Sequence, residues 1–108
     1  MKTAIFLILS AFMASPAIAD EHRCAADAGM ISLLVRAREA NPKATERGIV
    51  DTILFSYGQQ NAPNWLRVKM YNLLDFAERN ITSGAEGAAT KYRVQCAESG
   101  PIGPDSQD

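Results

Sequence analysis

The chain has 108 residues, 47% of them apolar and 21% charged, with a formal net charge of −1. This composition suits one small globular domain and excludes both a wholly disordered chain and room for a second domain. Eleven Lys and Arg matched by twelve Asp and Glu argue against a general nucleic-acid binder, and two Cys with one His exclude a cysteine-rich or multi-histidine metal scaffold.

Residues 1–19 read as a cleaved secretory signal peptide. Lys2 supplies the positive start, Ala4 to Met13 the apolar stretch, and Pro16 a break before Ala17-Ile18-Ala19, an A-x-A cleavage signal followed by Asp20. The apolar run covers roughly half of the ~20 residues that a spanning helix needs. Cleavage therefore predicts an exported protein, periplasmic or secreted, with no stable membrane insertion afterwards. It removes Lys2 alone among the charged side chains, which makes the balance one unit more negative.

Residues 20–98 read as the helical domain. A first helix is expected from about Cys24 to Ala40, with Ala26, Met30, Leu33 and Ala37 on one stripe, widened by Ala28, Ile31 and Val35. Asn41-Pro42 ends it and supplies a cap and first-turn proline for the next helix. That second helix runs to about Tyr57 on Ile49, Val50, Ile53, Leu54 and Tyr57, with Gly58 as its left-handed terminator. Pro63 opens a third helix carrying Trp65, Leu66, Met70, Leu73, Leu74, Ala77 and Ile81, while Arg67, Lys69, Glu78 and Arg79 fall on the surface. Ser83-Gly84-Ala85-Glu86 matches a capping box and starts a fourth helix, with Ala85, Ala88, Ala89, Tyr92 and Cys96 directed inward. Residues 99–108, with Gly100-Pro101 and Gly103-Pro104, are expected to form a disordered tail.

No segment alternates with period two, so the expected fold is all-α. The short connections favour a small four-helix bundle running up-down-up-down. Its first and last helices then meet at one end, where a Cys24–Cys96 disulfide would tie them together in an oxidising compartment. In the chain-entropy account a loop of that length is worth about 4 kcal/mol.

The residues offer little for catalysis. His22 is the only histidine and precedes the folded part, no nucleophile elbow, H-E-x-x-H or phosphate loop occurs, and Asp51, Asp75 and Glu78 read as solvated charges rather than an acid–base pair. A non-enzyme without a cofactor is therefore expected. One metal site follows as an alternative expectation, because cleavage after Ala19 would leave Asp20-Glu21-His22 at the terminus. The amine, two backbone amides and the imidazole would match the tetragonal preference of Cu(II) or Ni(II). Asn80-Ile81-Thr82 forms a glycosylation sequon. Tyr57 and Trp65, beside the Gln59–Asn64 connection, are the aromatics best placed as partner anchors.

In size, export and helix content the layout is similar to acid-protective periplasmic chaperones and to periplasmic immunity proteins. The Tyr92-to-Cys96 ending resembles that of other small secreted bacterial proteins. The resulting expectation is a non-enzymatic protein-binding module. Its alternatives are a chaperone that opens in acid, where protonated carboxylates leave a strongly positive chain, and metal handling at the new terminus.

Overall fold

The computed structural model describes the backbone of residues 2–103 and the side chains of residues 20–103. Within them the chain is all-helical: α1 (Lys2–Ala40), α2 (Glu46–Ser56), α3 (Asn64–Arg79), a 3-10 turn (Ile81–Ser83) and α4 (Gly84–Ser99). The side chains of the expected signal segment and residues 104–108 of the expected tail lie outside the described residues. Among the described residues no helix is long and apolar enough to cross a membrane.

Four details differ from the sequence expectation, the simplest being that α3 ends at Arg79, so that Ile81, expected on the third helix, lies in the 3-10 turn that follows. The first helix does not begin near Cys24 but runs unbroken from Lys2 through Pro16. A proline inside a helix forfeits one backbone hydrogen bond and crowds one carbonyl, and the helix formers on both sides carry the helix past it. The second helix is capped by Thr45, not by Asn41-Pro42. The Asn41 N–H still donates to Ala37 O at 3.0 Å, extending the α1 ladder, and Arg38 Nη1 donates to the carbonyls of Asn41, Pro42 and Ala44. The chain is extended at Thr45 (φ −70°, ψ 158°), whose hydroxyl accepts from the Gly48 N–H at 3.0 Å. The capping box at Ser83 does not form. Ser83 closes the 3-10 turn with helical angles (φ −81°, ψ −6°), whereas a capping side chain needs an extended backbone. Glu86 instead accepts from Arg36 Nη2 at 3.1 Å.

The end of α1 at Ala40 and the start of α4 after Ser83 fall where the sequence placed them, as do the boundaries at Pro63 and Gly58. Pro63 caps α3, and Gly58, at φ 73°, follows α2 in the left-handed region that a side chain would strain.

The core face of α1 is rotated from the expected stripe. Cys24, Asp27, Ala28, Ile31, Leu34 and Val35 are buried, whereas Ala26 and Leu33 are exposed and Met30 and Ala37 half-buried. The disulfide explains the rotation. Residues three, four and seven beyond Cys24 share its side of the helix, while Ala26 and Leu33 lie about 180–200° around it.

From α2 the core receives Ile49, Val50, Ile53 and Leu54. Met70, Leu73, Leu74, Phe76 and Ala77 come from α3, and Ala88, Tyr92 and Cys96 from α4. α1 packs most extensively on α4 and then on α3, while α2 packs mainly on α3. Phe76 and Tyr92 meet edge to face, centroids 5.3 Å apart, which joins α3 to α4.

Two charges are buried inside this apolar cluster. Asp27 is 5% exposed and Lys69 8%, with Lys69 Nζ 3.1 Å from Asp27 Oδ1. The Tyr92 hydroxyl donates to Asp27 Oδ2 at 2.8 Å and accepts the Ile102 N–H at 3.0 Å. Lys69, expected on a solvated face, is thus a core residue. It falls next to Met70 and one turn before Leu73 on the face that α3 turns toward α1. Its burial is tolerable because a carboxylate from α1 meets it there.

Ile102 also packs against the core, and a Cβ on Gly103 would lie 3.0 Å from Asn72 Nδ2 and 3.4 Å from Lys69 Cα, at φ 72°. Ser99 still belongs to α4, and residues 100–103 follow as a short strap laid across Tyr92 and α3. The first residues of the expected tail are therefore docked.

Candidate functional site

The residues singled out in the sequence fall in three places. Cys24 and Cys96 are joined, with Cα atoms 5.8 Å apart. The bond ties α1 to α4, one turn from both Asp27 and Tyr92, so the covalent link and the buried charge network brace the same end of the molecule. Asp20, Glu21 and His22 lie together in α1, immediately before that bond, with all three side chains exposed. Asp20 holds a surface ion pair with Arg23 at 3.0 Å.

Tyr57 and Trp65 flank the connection between α2 and α3. Tyr57 caps α2 and is 59% exposed, outside the core that its helical spacing had suggested, because the buried face of α2 ends at Leu54. Trp65 is half-buried in the first turn of α3, and the two rings do not stack. The structure adds Phe55, which the sequence reading overlooked and which at 66% is the most exposed large apolar side chain described.

A signal for this region is present in the sequence. From Thr52 to Leu66 the chain carries no charged residue, although charged residues make up 21% of the whole. The residues on either side of that stretch are Asp51 and Arg67, and they close its base. Arg67 Nη1 donates to Asp51 Oδ1 at 2.6 Å and Nη2 to Gln60 O at 3.3 Å, while Arg47 reaches the other Asp51 oxygen at 3.6 Å. Backbone bonds from Gln59 N–H to Leu54 O (2.8 Å) and from Ala62 N–H to Gln59 O (3.1 Å) shape the connection. The result is an α2–α3 junction that shows two aromatic rings among Thr, Ser, Gln and Asn side chains and is clasped at its base by ions. Protein interfaces have this character at their centre: aromatic, depleted in charge and held on a rigid support.

The carboxylates considered for acid–base chemistry are not brought together. Asp51 is held by Arg67 and Arg47, Asp75 pairs with Arg79 at 3.0 Å, and Glu78 accepts from Arg38 Nε (2.9 Å) and Nη2 (2.6 Å). The carboxylate that does adjoin Glu78 is Glu46, at the start of α2. Its pKa is raised from the ordinary value, first by sharing a hydrogen bond with Glu78 and then by repulsion from that carboxylate. This pair stands at an exposed helix start. A separate open groove of about 340 Å³ runs between α1 and α4, lined by Ala25, Gly29, Ser32, Arg36, Glu86 and Arg93 among others. The sequon residue Asn80 is half-buried and its Nδ2, the atom that would carry a glycan, donates to Phe76 O at 2.9 Å.

Comparisons of the chain with protein-family models, with curated proteins and with solved structures gave no match.

Proposed function

We propose that this is an exported, non-enzymatic helical protein that binds another protein through the tip of the α2–α3 hairpin. In this reading residues 1–19 are removed on export, and the four helices run up-down-up-down in an oxidising compartment, periplasmic or extracellular. The exposed Phe55 and Tyr57 rings carry the proposal. They stand on a tip without charge, fixed by the Asp51–Arg67 clasp, so little conformational freedom is lost on docking. The chemistry of the tip selects a partner surface with apolar hollows for the rings and an uncharged polar rim.

A photo-crosslinking residue placed at Phe55 or Tyr57 in the exporting cell tests the reading, with Arg93 as a control on α4. The expected result is a discrete cross-linked protein band from 55 and 57 that is missing from 93 and is lost when the other tip aromatic is changed to Ser. Identical patterns from all three positions, or no band from the tip, would overturn it.

A further inference from the structure

We infer that the mature chain carries a Cu(II) site at its amino terminus, built from the Asp20 amine, the backbone nitrogens of Glu21 and His22, and the His22 imidazole. The inference rests on export with cleavage after Ala19. It does not depend on the hairpin tip.

Among the described residues no three His, Cys, Asp or Glu side chains are grouped so as to hold a metal. Backbone donors have no such requirement. Cleavage after Ala19 makes the nitrogen of Asp20 a free amine and leaves His22 in third position. Neither Glu21 nor His22 is proline, so both amides carry a proton that a metal can displace. Amine, amide, amide and Nδ1 follow one another along the chain and close three fused chelate rings in one plane. Square-planar nitrogen coordination suits Cu(II) best and Ni(II) next, in line with the usual order of divalent affinities.

The fold makes these amides available at the moment of cleavage. Within α1 the N–H groups of residues 20–23 have the carbonyls of residues 16–19 as their helical acceptors. Removing residues 1–19 removes all four acceptors, so Glu21 and His22 become two of the orphan amides at a new helix start. The metal then competes with water for them, not with the helix.

Unwinding of residues 20–22 ends at Cys24, which the disulfide to Cys96 anchors. Among the described residues, unwinding gives up the half-exposed Asp20–Arg23 pair, which contributes little at a solvated surface. All three side chains are exposed, so the imidazole is free to swing into the plane and the Asp20 and Glu21 carboxylates favour an approaching cation.

Charge balances without redox chemistry. Cu(II) displaces the ammonium proton and two amide protons to solvent, the imidazole binds neutral, and the four-nitrogen core has no net charge.

The test uses protein exported by the cell and purified from the extracytoplasmic fraction. Its intact mass comes first: a chain beginning at any residue other than Asp20 overturns both the cleavage reading and this site. With Asp20 confirmed, titration with Cu(II) is expected to give one bound equivalent and a visible d–d absorption band. His22→Ala and Glu21→Pro, which each delete one nitrogen ligand, should lose the band. Each loss should exceed the roughly 10–100-fold cost typical of removing only a supporting hydrogen bond around a metal ligand. Far-ultraviolet circular dichroism of both variants should match the parent, since neither residue packs in the core. An extra Gly before Asp20 should also abolish the band. A correctly processed chain with no band, or a band that survives His22→Ala, refutes the metal site and leaves the export reading standing.

Discussion

Lys69→Met tests the buried ion pair of Asp27 with Lys69, a lysine that the sequence placed on the surface. Lys69 and Asp27 are 8% and 5% exposed and approach to 3.1 Å, so water screens neither charge effectively. Methionine has nearly the same length and is at home in the core, so the substitution creates little cavity. What it leaves, among the described residues, is the Asp27 carboxylate with the Tyr92 hydroxyl on one oxygen. Breaking a buried pair by deleting one partner costs about 3–5 kcal/mol, because the remaining charge stays buried without compensation.

The second arm is Asp27→Asn with Lys69→Met. Asparagine keeps an oxygen for the Tyr92 O–H and removes the stranded charge, so the double variant should recover roughly 2–3 kcal/mol of what the two single substitutions lose together. Urea unfolding followed by far-ultraviolet circular dichroism, at neutral pH with the disulfide intact, gives each stability. If Lys69→Met costs less than about 0.5 kcal/mol, the usual scale of surface substitutions, the pair is not buried in solution. Strictly additive losses would likewise refute coupling through a shared charge pair.

Three further outcomes follow from the same contacts. Reducing the disulfide, or replacing Cys24 and Cys96 by Ser, should lower stability by about 4 kcal/mol, read as an earlier urea midpoint. Because the bond and the Asp27 network brace one end, the Ile102 amide should lose hydrogen-exchange protection at the same time. Arg38→Gln removes the guanidinium that joins Glu78 to the carbonyls of the α1–α2 connection, and about 2–3 kcal/mol should be lost, with the loss concentrated in unfolding of α2. Glu46→Gln tests the raised carboxyl beside Glu78. In the folded chain Glu46 keeps its proton to higher pH than when unfolded, so its contribution is full below the unfolded pKa and is lost as pH rises through the folded one. Above that window the parent carries an unfavourable charge that the variant lacks, so the variant should melt slightly higher at neutral pH and show a flatter stability profile through the carboxylate range. Equal profiles in thermal melts from pH 4 to 7 would refute the Glu46–Glu78 contact.

The sequence by itself determined that the chain is helical, the end of α1 at Ala40, the glycine after α2 at Gly58, the cap of α3 at Pro63, and the pairing of Cys24 with Cys96. Each is a local property: proline and glycine punctuate the chain through their own backbone limits, apolar periodicity reports a helix without reference to its neighbours, and two cysteines in an all-helical chain allow one internal bond. Tertiary structure decided which way each helix faces and what its polar residues do. Several neighbouring stripes of α1 are apolar enough to be its core, and the bond at Cys24 chose one. Lys69 on α3 reads as a surface residue until Asp27 on α1, 42 positions earlier in the chain, is placed against it. Ser83 and Glu86 have the right spacing for a cap, but the 3-10 turn before them sets the wrong angles and Arg36 takes the carboxylate. Ile102 has few apolar neighbours in sequence, and its docking depends on a Tyr92 hydroxyl that is already buried. The α2–α3 junction lies between these cases. Its lack of charge from Thr52 to Leu66 is plain in the sequence, whereas the exposure of Phe55 and Tyr57 follows only from where the buried face of α2 stops. Backbone preferences act within a few residues and can be read along the chain, but burial of a charge or exposure of a ring is a free-energy balance set by whatever the fold brings alongside.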